Sequence, residues 1–143
     1  MDNTIRFGFW NYVESGVLKK EEVAEWKKMH FDLPMSFTFD ERKHDKRDML
    51  ALLDECEKYG LKLIICDQRT HFRTLLLEDR DKFIAGVKQA YTDFGTHGAA
   101  FGFFVGDEPA PNETEIFIEA VKIVIEEMPG LTPFANLVPY WGG

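Results

Sequence analysis

The chain has 143 residues, of which 45% are hydrophobic and 29% are charged. This length corresponds to one domain with a core of its own, and the composition excludes disordered, collagen-like and coiled-coil chains. The 17 basic and 25 acidic side chains leave a net charge of −8, which repels a phosphate backbone, so we expect no nucleic-acid partner.

The sequence contains no recognisable membrane or export segment. Its apolar runs fall short of the roughly 20 residues that a membrane span needs, and residues 1–4 have no signal-peptide character. Two cysteines, Cys56 and Cys66, are too few for a disulfide framework and lie among apolar residues. We therefore expect a soluble protein in a reduced, cytoplasmic setting, without a membrane partner.

The chain begins with an apolar and aromatic run of strand length, which predicts a first strand over residues 5–10. A helix is predicted over residues 20–30, because Val23, Trp26 and Met29 recur at three-residue intervals among charged residues.

A second strand is predicted over residues 33–40 and a third over residues 61–67. Between them, Asp45 is a candidate N-cap for an amphipathic helix, and Gly60 stands where a left-handed C-terminal cap is needed.

The second half continues the alternation. A loop leads to a helix over residues 79–94, and a continuous apolar run predicts a fourth strand over residues 99–106. Asn112 and Glu115 resemble the capping box of a further helix, and a fifth strand is predicted over residues 131–138.

Strands alternating with helices predict the α/β class, with a parallel sheet. The predicted strands start about 31 residues apart, and eight such units would make a (β/α)₈, or TIM, barrel of about 250 residues. We expect residues 1–143 to be a partial barrel domain, comprising strands one to five and truncated after the fifth. A doubly wound sheet also fits this length, but the first turn lacks its usual Gly-rich phosphate loop.

Polar or aromatic residues stand at the predicted carboxyl ends of the strands, where α/β barrels hold their functional groups. The candidates are Trp10, Asp40, Asp67, Arg69, Glu108 and Asn136. Taken singly, each of them is as suited to capping a helix as to touching a substrate.

Glu108 is the strongest single candidate for a chemical role. Period-two alternation in the fourth strand predicts one shared face for Gly102, Phe104, Gly106 and Glu108. If that face looks toward the barrel axis, the glycines leave space beneath a carboxylate at the barrel mouth. A carboxylate that only fixes the turn at Pro109 is the alternative.

The segment of residues 105–109, Val-Gly-Asp-Glu-Pro, resembles the acid/base segment of clan A glycoside hydrolases, in which a glutamate ends the fourth barrel strand. Looser similarity extends to Phe9-Trp10, to Asp67 with Arg69, and to residues 136–140. Many members of the clan have Asn directly before the acid/base glutamate, where this chain has Asp107.

The resemblance implies a retaining glycosidase that cleaves O-glycosidic bonds with Glu108 as acid/base, without a metal or other cofactor. In this clan the nucleophilic carboxylate comes from strand seven, so we expect a chain truncated after strand five to be inactive alone. Asp40, Asp67, Arg69 and Asn136 would then bind the carbohydrate substrate.

Aromatic side chains at strand ends suit the apolar face of a sugar. Trp10, Tyr140 and Trp141 are predicted to stack on the substrate, with packing at the barrel rim as the alternative. Arg69, His71 and Arg73 form a small basic cluster that either orders the hydroxyls or a carboxylate of a ligand, or belongs to a solvated loop.

Two other functions stay open. One is a non-catalytic half-barrel that binds carbohydrate or only assembles. The other is a metal-dependent sugar isomerase or epimerase with Asp40, Asp67, His71 and Glu108 as ligands, although their spacing matches no diagnostic motif. Because an incomplete barrel exposes its edge strands, self-association is expected whichever function is correct.

Overall fold

A computed structural model describes residues 5–11, 13, 18 and 20–137 of the chain. Within these residues there are four β-strands and five α-helices. The strands are β1 (Met35–Phe39), β2 (Leu63–Asp67), β3 (Ala100–Asp107) and β4 (Thr132–Asn136). The helices are α1 (Glu22–Lys28), α2 (Lys46–Lys58), α3 (Phe72–Leu77), α4 (Arg80–Ala90) and α5 (Thr114–Glu127).

The four strands form one all-parallel sheet in the order β1-β2-β3-β4. Helices connect each strand to the next, and the strand order does not reverse within the described part of the chain. The prediction of an α/β fold with a parallel sheet is therefore confirmed, and these strands are the predicted strands two to five. Val138, the predicted end of the last strand, lies outside the described residues.

The predicted first strand, residues 5–10, is not a regular strand. The Phe7 carbonyl accepts hydrogen bonds from the N–H groups of Asp32 and Leu33, and the Phe9 carbonyl accepts one from Met35. The segment thus runs beside β1 in the same direction. The Phe7 N–H, however, donates to the Asp32 carboxylate at 2.8 Å rather than to a strand carbonyl, so the ladder is not completed.

The amphipathic periodicity of α2 matches its burial. Its buried side chains recur at helical spacing, at Met49, Leu52, Leu53 and Cys56. The Asp45 carboxylate accepts the Arg47 N–H at its start, and Gly60, with φ +69°, follows its end. Both caps occur as predicted. None of the described helices is long and apolar enough to cross a membrane.

Two local predictions were wrong. The loop expected after the third predicted strand contains a 3₁₀ turn (Gln68–Thr70) and the short helix α3. The helix near residue 112 is not started by an Asn112–Glu115 box. Instead, the Glu113 carboxylate accepts the Ala110 N–H at 2.9 Å, because a 3₁₀ turn precedes α5.

The two faces of the sheet are covered differently. One face packs against the helices and forms the main core, with Phe37, Ile65, Phe103 and Val105 contributed by the strands. The other, which we call the open face, carries a smaller apolar cluster to which no described helix contributes. Its members are Trp10, Leu33, Met35, Ile64, Cys66, Phe101, Phe104 and Phe134.

Contacts across the open face show that the sheet is strongly curved. Trp10 lies in the segment that runs beside β1 at one edge of the sheet, and Phe134 lies in β4 at the other edge. In a flat sheet four strand spacings, about 19 Å, would separate their backbones. Their ring centroids are nevertheless 6.0 Å apart, and Trp10 also meets Phe104 edge-on at 5.2 Å. The open face is therefore concave.

The close approach of β3 and β4 requires glycine at position 102. A Cβ there would overlap the Thr132 carbonyl and lie 2.9 Å from the Thr132 nitrogen, and neither backbone atom can move without displacing β4. We expect Gly102→Ala to lower the free energy of unfolding by about 1–3 kcal/mol in urea titrations. Gly98→Ala is the control, because its Cβ meets only the flexible end of Glu57. Equal losses in the two variants would contradict this explanation.

Candidate functional site

The carboxyl ends of the four strands meet at one edge of the sheet, which we call the carboxyl edge. Asp40 directly follows β1, and Asp67, Asp107 and Asn136 are the last residues of β2, β3 and β4. Each of the four described strands therefore ends in, or is directly followed by, an acidic or amide side chain, as the sequence predicted. In parallel sheets ligands bind at this edge, which makes it the candidate functional site.

The ends of β3 and β4 are joined to each other. Asp107 and Asn136 are register partners, and the Asn136 amide donates to the Asp107 carboxylate at 2.8 Å. The Glu108 N–H donates to the Asn136 carbonyl at 3.0 Å. The backbone of Glu108 is therefore anchored to the neighbouring strand.

The Glu108 side chain is exposed at the carboxyl edge. Its backbone has φ +41°, a conformation uncommon for residues other than glycine. Among the described residues, none forms a hydrogen bond or ion pair with its carboxylate. Glu108 is thus held by its backbone while its carboxylate stays accessible.

The predicted alternation in β3 does not extend to Glu108. The pairing with β4 shifts between Phe104 and Gly106, so the strict two-residue period is lost there. A Cβ on Gly106 would overlap the ring of Phe72 and lie 3.1 Å from Phe117, and both rings belong to the main core. Gly106 therefore provides room for core packing, not for a ligand on the open face.

Asp40 is buried and bound by its own loop. Arg42 donates from Nε and Nη2 to the two carboxylate oxygens at 3.0 and 3.1 Å, and its backbone N–H donates at 3.0 Å. The Lys43 ammonium lies 3.5 Å away. The hydrogen bonds from Arg42 hold the pKa of Asp40 well below its usual range, although burial opposes them. Asp40 is therefore a charged, internally paired carboxylate.

Asp67 and Arg69 form a buried ion pair. Arg69 donates from Nε and Nη2 to the Asp67 carboxylate at 3.0 and 2.7 Å, and from Nη1 to Asp93 at 2.8 Å. The guanidinium lies 5.3 Å from the ring of Phe39 and 5.7 Å from that of Phe94. Burial raises the pKa of Asp67, while the contacts with Arg69 favour its charged form. Arg69 is only 8% exposed, so a solvated loop is the wrong description of this residue.

A cleft of about 230 Å³ lies between the loops that follow β1 and β2. Its walls are polar side chains together with one exposed leucine. They are Asp40, Glu41, Arg42, Gln68, Arg69, Thr74, Leu77 and Glu78. The structure thus brings Asp40 and Arg69 together, whereas Glu108 and Asn136 are not among the lining residues.

Aromatic rings cluster beneath the ends of β3 and β4. Trp10 is half-buried against Phe104 and Phe134. His71, which the sequence placed in a loop, meets Phe104 edge-on at 5.7 Å and stacks on Phe72 at 5.1 Å. Tyr140 and Trp141, the other predicted stacking residues, lie outside the described part of the chain.

His71 is a member of this site that sequence reasoning underrated. Its Nδ1 accepts the Arg73 N–H at 3.3 Å, so a neutral ring carries its proton on Nε2. Burial lowers its pKa and the charge of Arg73 lowers it further, while Asp107 and Glu113 act in the opposite direction. The only sequence signal was its position four residues beyond a strand end.

The described residues contain no group of three or more His, Cys, Asp or Glu side chains arranged to hold a metal ion. Asp40 and Asp67 are each engaged by an arginine of their own loop. Among the described residues, Asp40, Asp67, His71 and Glu108 therefore do not form the ligand group that the isomerase alternative requires.

No family model matches this chain, and a search of curated proteins found no significant match.

The Asp40 contacts predict a dependence of stability on pH. The pKa of Asp40 is lower in the folded state than in the unfolded chain, where it is about 4. The contribution of Asp40 to the free energy of unfolding is therefore complete above the unfolded pKa and is lost as the pH falls through the folded pKa. The stability difference between wild type and Asp40→Asn should be constant near neutral pH and shrink in acid. Urea titrations at several pH values measure it, and Arg42→Gln should show the same trend. A difference that grows in acid would contradict this assignment.

Removing the Arg69 guanidinium leaves the buried Asp67 without its charged partner, whereas Asp93 keeps its contacts with Gln89 and Lys46. We expect Arg69→Met to cost about 3–5 kcal/mol of unfolding free energy, because an unpaired buried charge remains. Arg80→Met is the matched control, since it removes only the exposed pair with Glu119. The double variant Asp67→Leu/Arg69→Met should recover part of the loss. Similar urea midpoints for Arg69→Met and Arg80→Met would show that the ion pair between Asp67 and Arg69 does not stabilise the fold.

Proposed function

We propose that this chain forms the first half of a (β/α)₈ barrel of a glycoside hydrolase, with Glu108 as the acid/base residue. The single observation that carries the proposal is the placement of Glu108. Its backbone is fixed to β4 at the carboxyl edge, and its carboxylate is accessible there.

The half-barrel part of the proposal is supported by three features of the sheet. Its strands follow one another in sequence order, its helices pack on one face, and its other face is concave. A doubly wound sheet instead reverses its strand order and carries helices on both faces. In this proposal the segment of residues 5–11, which runs beside β1, corresponds to the first barrel strand.

The chemistry assigned to Glu108 is general acid and base catalysis. As an acid it donates its proton to the glycosidic oxygen while the nucleophilic carboxylate bonds to the anomeric carbon and the bond from that carbon to the glycosidic oxygen breaks. As a base it then removes a proton from the water that displaces this carboxylate from the anomeric carbon. Both steps require a carboxyl group that a substrate can reach, which agrees with the exposure of Glu108.

The aromatic cluster suits the binding of a carbohydrate. Trp10 is half-buried at the open face, where its ring meets Phe104 and Phe134 edge-on. The apolar face of a sugar ring packs on such a surface, while its hydroxyls need polar partners at the rim. His71, which lies against Phe104, and the cleft beside Arg69 supply polar groups at this edge.

A retaining mechanism also needs a nucleophilic carboxylate about 5 Å from the acid/base group. Asp40 and Asp67 do not suit this role, because arginine side chains occupy the oxygens of both carboxylates. The proposal therefore assigns the nucleophile to a strand that joins the sheet beyond β4. Asp40 and Asp67 serve instead to shape the loops around the substrate.

A non-catalytic carbohydrate-binding half-barrel is the second candidate. It is favoured by one observation, namely that none of the described residues pairs with the Glu108 carboxylate to set its protonation. Such a protein would bind sugars through Trp10 and would tolerate the loss of the Glu108 carboxyl group.

The test is Glu108→Gln in the full-length protein, which keeps the shape of the site and removes the proton. Hydrolysis of glycosides with poor leaving groups should fall by about 10²-fold or more, the scale of general acid catalysis. Activated aryl glycosides should lose less in the first step, because their leaving groups need little protonation. Azide should restore turnover, since it attacks without a general base.

Glu113→Gln is the matched control. Glu113 lies in the loop that follows Glu108 and accepts the Ala110 N–H, a bond that the glutamine oxygen can also accept. This variant should not discriminate between leaving groups. Equal losses for good and poor leaving groups in Glu108→Gln, without azide rescue, would overturn the acid/base role. Sugar binding without hydrolysis would support the second candidate.

A further inference from the structure

We propose that the cleft between the loops that follow β1 and β2 binds one unit of a neutral carbohydrate, so that the substrate of the proposed hydrolase is an oligosaccharide. The statement about the substrate rests on the proposed function, whereas binding in the cleft is argued from the cleft's own residues. The cleft measures about 230 Å³, below the roughly 300–1,000 Å³ of pockets for drug-sized ligands. It therefore suits a single small ring.

The guanidinium groups that line the cleft are fixed before any ligand arrives. Arg69 is 8% exposed and donates to the carboxylates of Asp67 and Asp93. Arg42 donates to both carboxylate oxygens of Asp40. A ligand in the cleft thus meets side chains that are already ordered, which avoids the entropic cost of ordering them on binding.

The charges of the lining residues favour a neutral ligand. Both arginines already have carboxylate partners, and two further acids, Glu41 and Glu78, line the same cleft. An anionic ligand would meet no unpaired cation among the described lining residues and would be repelled by these two acids. A cationic ligand would be opposed by Arg42 and Arg69.

Accessible polar groups of the cleft match the hydroxyls of a sugar. Gln68 and Glu78 are exposed, and neither side chain forms a hydrogen bond or close ion pair with another described residue. The Glu41 carboxylate reaches Arg69 only at 3.4 Å. An amide donates and accepts, a carboxylate only accepts and a guanidinium only donates, whereas a hydroxyl pairs with all three. Leu77, which is 84% exposed, offers an apolar contact for the C–H groups of the ring.

The cleft lies near Glu108 along the carboxyl edge. One of its walls is the loop after β2, and β2 pairs with β3, so about one to two strand spacings, or 5–10 Å, separate the cleft from the end of β3. The Thr70 hydroxyl lies 3.0 Å from the Phe104 carbonyl and fixes this loop to β3. A sugar unit in the cleft and the glycosidic bond at Glu108 can therefore belong to one oligosaccharide.

Binding is measured in the full-length protein carrying Glu108→Gln, which prevents hydrolysis during the measurement. The probe is an array of neutral, amine-bearing and acidic sugars, each present as the single sugar and as oligosaccharides. We expect neutral oligosaccharides to bind, and single neutral sugars to bind more weakly because they fill only one position. Calorimetry with the strongest neutral oligosaccharide then gives the dissociation constant.

Two variants of the cleft test the position of the bound sugar. Gln68→Ala and Glu78→Ala should each raise the dissociation constant by about 5- to 10-fold, because each removes a hydrogen-bonding group. Gln68→Glu, which keeps the size and removes the amide donors, replaces Gln68→Ala if circular dichroism shows that the alanine variant is unfolded. Glu126→Ala is the matched control, since Glu126 is exposed on α5 and does not line the cleft.

Three results would overturn the proposal. They are an array without any bound sugar, a preference for acidic or amine-bearing sugars over neutral ones, and cleft variants that change the dissociation constant no more than Glu126→Ala does.

The hydrolase assignment can fail independently. Binding that is weakened by both cleft variants, in a protein without hydrolytic activity, would keep the subsite and remove the role of Glu108. Hydrolysis that depends on Glu108, with oligosaccharide binding unaffected by the cleft variants, would keep the acid/base role and remove the subsite.

Discussion

The ion pair between Asp67 and Arg69 fixes the geometry of the carboxyl edge. Asp67 ends β2 and is fully buried, so its charge requires a partner within the protein. Arg69 supplies that partner and also reaches Asp93, in the turn after α4, and Glu41, in the loop after β1. One guanidinium thus joins three segments that are distant in sequence, and the loops around the candidate cleft depend on it.

The acids of this edge consequently have two different roles. Asp40 and Asp67 are buried and bound by arginine side chains, and Asp107 accepts a hydrogen bond from Asn136. These three carboxylates hold the ends of β1, β2 and β3 in place. Glu108 alone among the strand-end acids combines a fixed backbone with an accessible carboxylate, which is the combination that proton transfer to a bound ligand requires.

The two faces of the sheet are unequally covered by the described helices. Helices bury one face, while the other is concave, apolar and only partly buried. This concavity brings Trp10, at one edge of the sheet, onto Phe134 at the other.

The sequence by itself determined the α/β class, four of the five predicted strands, the caps of α2 and the polar residues at the strand ends. These features follow from local periodicity and from side chains that bond to their own backbone neighbours. It did not determine that residues 5–10 lack a regular ladder, because this depends on the Phe7 N–H meeting the side chain of Asp32, 25 residues away.

Only the tertiary structure decided which polar residues are accessible. The burial of Arg69 and its contacts with Asp93 and Phe94 require α4 and the segment that follows it to pack against β1 and the 3₁₀ turn after β2. The shift in pairing after Phe104 likewise depends on β4, so strand alternation alone could not orient Gly106. Local patterns identify where a chain turns and ends its strands, whereas burial and ion pairing depend on segments that only folding brings together.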